Sequence, residues 1–173
     1  MTAVRPASAL ALIALAPLVL ASASAAQEAV RVEGHAADRA LLEGTWTGGY
    51  ACEATGRHGT LTFSLGPGAA RAVARLEMVP RATPEAPDPA PIVLALHIVE
   101  VEASGDGLAV RGALAPYDDP EWRLGLETHF TGTLRRNRIE GAFTSLPTSV
   151  DTIPASGRWW ATRQPRPEGA ADL

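Results

Sequence analysis

From residue 44 to residue 163, apolar and polar positions alternate with period two, the mark of half-buried strands. Residues 44–52 put Trp46, Gly48, Tyr50 and Cys52 on one face. Residues 59–66 set Leu61, Phe63 and Leu65 against Thr60, Thr62 and Ser64. Gly66-Pro67-Gly68 then turns the chain into residues 71–79, where Ala72, Ala74, Leu76 and Met78 oppose Arg71, Val73, Arg75 and Glu77. Residues 92–103 are apolar on both faces at first. Val93, Ala95, His97, Val99 and Val101 share one parity, which is expected to face inward. A Ser104-Gly105-Asp106-Gly107 hairpin turn leads into residues 108–114. Residues 122–134 align Trp122, Leu124, Leu126, Thr128, Phe130, Gly132 and Leu134. Residues 139–144 and 157–163 complete the set.

The pattern therefore predicts eight strands with short turns and no amphipathic helix between them. Such strands pair antiparallel. An open meander leaves two edges unpaired, and closure into a ring removes both. The expected fold is all-β, an antiparallel eight-stranded up-and-down β-barrel over residues 44–163. A β-sandwich is the structural alternative.

The flanks break the pattern. Residues 27–43 hold a segment, 35–43, that would make a short helix stopped by Gly44, with Leu41 and Leu42 placed to cover one barrel end. Residues 80–91 carry Pro80, Pro84, Pro87, Pro89 and Pro91, a density that neither a helix nor a strand interior tolerates. That stretch is either a lid over a barrel mouth or a plain connection. Pro165 and Pro167 end the last strand in a polar tail, residues 164–173.

The first 26 residues have the form of a secretory signal peptide: Arg5, an apolar run from Ala9 to Leu20, then small residues up to Ala26. The run is shorter than the ~20 residues of a membrane span and contains Pro17. No later stretch is long enough to span, so no stable membrane span is expected. Cleavage after Ala26 leaves Gln27 to Leu173, 147 residues, one domain in size. Removing Arg5 from the 15 basic residues leaves 14 against 19 acidic ones, a net charge of −5. That balance argues against general nucleic-acid binding. Every basic residue is Arg, which, with abundant Ala, Gly and Pro, fits a bacterium with a GC-rich genome. Export would then deliver the protein to the periplasm or the exterior. Cys52 is the sole cysteine, so no disulfide forms within the chain, and its parity puts it on the Trp46 face as a small buried residue.

Gly44-Thr45-Trp46 at the start of the first strand, with Arg163 near the end of the last, resembles the calycins: the lipocalins, fatty-acid-binding proteins and avidins. The resemblance covers residues 44–163. It implies an eight-stranded barrel in which Trp46 packs across the floor and Arg163 lies against it, with Gly44 and Trp159 as further closure residues. Arg158 is the second choice for the arginine. It also implies a lipocalin-like role, binding a small apolar or amphipathic molecule. It does not carry biotin recognition, because Thr47-Gly48-Gly49 lacks the Asn expected there.

Candidate pocket residues are His97, Tyr50, Trp122 and Thr128, which share faces with the apolar positions. His97 has a second account as a satisfied core histidine. The four histidines have no metal-ligand spacing. Asp118, Asp119 and Glu121 match no calcium-loop pattern and are expected to be solvated. No nucleophile elbow, phosphate loop or dinucleotide fingerprint occurs, so no cofactor and no catalysis are expected. Arg135, Arg136 and Arg138 form a basic hairpin tip. Trp159 and Trp160 are adjacent in one strand, so one of them must point outward. Its cover would be the 36–43 segment or a second copy of the chain in a homo-oligomer. Two roles remain for the whole: a ligand-binding barrel, or a structural or protein-interaction module whose apolar interior is solid.

Overall fold

A computed structural model describes residues 29–80, 82–105, 107–119, 123–149 and 154–165. The expected leader at 1–26, Trp122 and the end of the tail lie outside them.

Among the described residues, eleven strands and one helix follow in chain order: β1 Ala29–Glu33, α1 Ala36–Ala40, β2 Gly44–Cys52, β3 Arg57–Leu65, β4 Arg71–Val79, β5 Ile92–Leu94, β6 Leu96–Ser104, β7 Gly107–Leu114, β8 Tyr117–Asp119, β9 Leu124–Arg135, β10 Arg138–Pro147 and β11 Ala155–Arg163. Strands β2, β3 and β4 form a meander that β5 and β6 continue as one interrupted strand. Then come β7, β9, β10 and β11, and β11 pairs antiparallel with β2. The expected meander is present, and the pairing of its ends excludes the sandwich.

The ring is not purely antiparallel. Strand β1 pairs antiparallel with β4 (Val30 opposite Ala72) and parallel with β6 (Val32 opposite Val99). At one end of the barrel it wedges between β4 and β6; toward the other end β4 pairs with β5 instead. The closed ring therefore has nine strands of mixed sense, a correction to the eight-stranded antiparallel expectation. The physical reason is burial. Val30 and Val32 are each 2% exposed. Each such burial is worth roughly 1.5–3 kcal/mol, enough to hold a short strand in the gap.

Helix α1 lies against β6 on the same end, its Asp38 carboxylate accepting from the Ala103 amide at 3.2 Å. The Leu pair that follows splits. Leu42 is 1% exposed and joins the core, while Leu41 stays outside. This end is the barrel floor.

Interior rings face glycines on the neighbouring strand. Tyr50 is directly opposite Gly59, Phe130 opposite Gly112, Phe143 opposite Gly157 and Trp159 opposite Gly141. At Gly141 a Cβ would collide with the Thr131 carbonyl oxygen and come within 2.6 Å of the Trp159 indole nitrogen. The missing side chain lets Trp159 reach across β10 and donate to that carbonyl at 2.9 Å. A ring covering a cross-strand glycine is a recognised way to keep a glycine-rich sheet packed.

Trp160 takes the outer face, 37% exposed. The 36–43 segment does not cover it: α1 packs on β6, whereas Trp160 sits on β11 beside Gly49.

Candidate functional site

The floor is built around Trp46, which is fully buried. Its indole donates to the Leu42 carbonyl at 2.8 Å. Arg163, directly opposite Trp46 in the β2–β11 pairing, places its guanidinium 4.6 Å from the indole ring centre. The same guanidinium donates to the Leu41 carbonyl. Two neighbouring carbonyls of the 41–43 turn are thus held by side chains from the first and last strands of the meander. Gly44 starts β2 at φ +114, a backbone angle that suits glycine, and lies under the Arg163 side chain.

Above the floor the barrel interior holds a cavity of about 120 Å³. Most of its wall is apolar: Leu42, Trp46, Leu61, Phe63 and Val99 toward the floor, then Leu76, Met78, Leu114, Leu126 and Phe143 further up. Two edge-to-face aromatic pairs belong to this wall, Tyr50 with Phe143 at 5.7 Å and Phe130 with Trp159 at 5.5 Å.

The end away from α1 is polar. Arg57 opens β3 with its side chain inward, and Asp119 closes β8. They meet as a bidentate ion pair, with the second bond 2.9 Å long, and the carboxylate is completely buried. The pair ties β3 to β8 across the barrel interior. Thr128 and Ser145, opposite each other on β9 and β10, share a hydroxyl hydrogen bond of 2.7 Å. The Cys52 thiol donates to the Ser156 carbonyl at 3.2 Å.

Tyr50 is different. Its hydroxyl oxygen is buried and has no hydrogen-bond partner. Burial pushes the phenol well above its usual ionisation range, with Tyr117 reinforcing the shift and Arg57 opposing it. Tyr50 therefore stays a neutral O–H donor at physiological pH.

No family model, no curated protein and no solved structure matches this chain.

Of the candidate pocket residues, Tyr50 and Thr128 line the cavity. His97 does not: its side chain is exposed. The expected inward parity fails because the strand breaks at Ala95 and a bulge falls between Leu96 and Ile98. Leu94 is inward before the irregularity, Val99 and Val101 after it, and Val93 is 48% exposed. Trp122 lies outside the described residues. Asp119 is corrected from solvated loop to buried ion pair. The 80–91 loop joins β4 to β5 at the polar end, but none of its described residues lines the cavity.

Nothing in the sequence joins Arg57 to Asp119, although a signal for half of the pair exists. Extending the parity of Leu61, Phe63 and Leu65 back through Gly59 puts Arg57 on the inner face. Among the described residues, no three His, Cys, Asp or Glu side chains converge as a metal site, and no helix is long and apolar enough to cross a membrane.

Proposed function

We propose that this chain is an exported bacterial barrel of calycin type that binds a small apolar or amphipathic molecule inside the barrel and carries out no catalysis. The cavity carries the proposal: an apolar chamber of about 120 Å³ with an unpartnered donor, the Tyr50 hydroxyl, toward its polar end. A buried polar group without a partner costs about 1–3 kcal/mol. A ligand that accepts from Tyr50 would recover it. Small barrels of about eight strands have an interior suited either to close packing or to one small ligand. The likeness to calycins is supported by the Trp46–Arg163 clasp over the 41–43 turn. Export is supported by the leader-like first 26 residues.

Native mass spectrometry of the mature protein purified from its own host tests this. The expected spectrum shows the protein carrying one additional small organic molecule, lost on collisional activation. A bare protein mass, together with no thermal stabilisation by any small apolar compound, would overturn the proposal in favour of a solid structural module.

A further inference from the structure

The size, charge and donor inventory of the cavity narrow its ligand. An engineered apolar cavity of ~150 Å³ takes a benzene ring. At about 120 Å³, this chamber has room for about one ring. The two edge-to-face aromatic pairs in the wall present ring faces and edges to a flat guest.

Charge is the sharper constraint. Among the described residues, Arg57 is the one charged side chain that lines the cavity. Asp119 already meets its guanidinium bidentately. A carboxylate ligand would either compete with Asp119 for that guanidinium or lose its own hydration beside a pair that is already neutral. Either is expensive in a low-dielectric interior. Among the described residues, a ligand ammonium would find no lining carboxylate.

Hydrogen-bonding capacity completes the description. The Tyr50 hydroxyl has a hydrogen to give. Thr128 and Ser145 spend one of their two hydroxyl hydrogens on each other, so the second can turn toward a guest.

Accepting that the barrel binds a ligand, we propose that the ligand is an uncharged, compact ring compound whose single acceptor oxygen sits on the Tyr50 hydroxyl, and that the same cavity rejects carboxylates and amines.

Four probes of nearly equal size separate these points by calorimetric titration of the full chain at neutral pH. They are acetophenone (neutral, with an acceptor), ethylbenzene (neutral, without one), benzoate and benzylamine. Acetophenone should bind about three- to tenfold tighter than ethylbenzene, the net worth of one hydrogen bond. Benzoate and benzylamine should bind at least about tenfold weaker than acetophenone, given the cost of burying an unmatched charge. Tyr50→Phe should bring acetophenone down to the ethylbenzene level and leave ethylbenzene unchanged, which also shows the variant to be folded. Benzoate or benzylamine binding as well as acetophenone would overturn the proposal and leave the ligand-binding barrel standing. An acetophenone preference that survives Tyr50→Phe would do the same. Failure of all four probes, with no host-derived molecule bound, would remove the barrel's ligand role and this proposal with it.

Discussion

Trp46→Ala is expected to lower the stability of the barrel by about 3–5 kcal/mol, the range for a large aromatic removed from a core. Trp46 is fully buried, so the change leaves a void the size of an indole at the floor. It also removes the donor to the Leu42 carbonyl and the ring under the Arg163 guanidinium. Those contacts fasten the turn between α1 and β2 to the last strand, so the seam where the ring closes weakens with the core. Urea unfolding, followed by far-ultraviolet circular dichroism, gives the number. The control is Trp160→Ala: that tryptophan is 37% exposed on the outer face and should change stability by about 1 kcal/mol or less. A loss below ~1 kcal/mol at Trp46 would mean that the floor is not built on it.

Asp119→Ala is expected to destabilise by about 3–5 kcal/mol at neutral pH, because it takes the bidentate counter-charge away from a buried guanidinium. The Arg57 side chain is 8% exposed and the Asp119 side chain 0%, so water cannot take over the lost contact without opening the barrel end. Joint replacement, Arg57→Met with Asp119→Leu, should behave in the opposite way. Exchange of a buried pair for apolar groups of similar volume is commonly neutral or stabilising by about 1–4 kcal/mol. A double-mutant cycle by chemical denaturation measures both. If Asp119→Ala costs as little as a surface substitution, within about 0.5 kcal/mol, the pair is solvated in solution and its constraint on ligand charge disappears too.

The repeating part of the architecture was legible because water on one side and core on the other write a period-two code along every strand. That code covers the meander from β2 to β11 and the parity of Tyr50 and Thr128. It breaks down where local sequence does not determine register. Residues 92–99 read Ile-Val-Leu-Ala-Leu-His-Ile-Val, apolar on both faces except for His97, so nothing marks the shift at the Leu96/Ile98 bulge. Extrapolating one parity through it put His97 inside. Strand β1 has the alternation Val30-Arg31-Val32-Glu33, but it is too short to stand out, and its parallel partner β6 lies more than sixty residues away. The Arg57–Asp119 pair is also a long-range event. Each residue borders a turn, where charge normally means solvent, and only the three-dimensional closure shows that the two meet inside. Tyr50 needed both kinds of information: parity placed it inward, while the absence of a partner for its hydroxyl required the folded barrel.

The central claim is that the barrel interior is a ligand chamber. The most direct measurement is a crystal structure of the protein purified from its own host and never exposed to denaturant. Density for a single compact molecule is expected between Tyr50 and the Phe130–Trp159 pair, with an acceptor atom about 2.7–2.8 Å from the Tyr50 hydroxyl oxygen. An interior closed by its own side chains, with the Tyr50 hydroxyl satisfied by the protein itself, would contradict the claim.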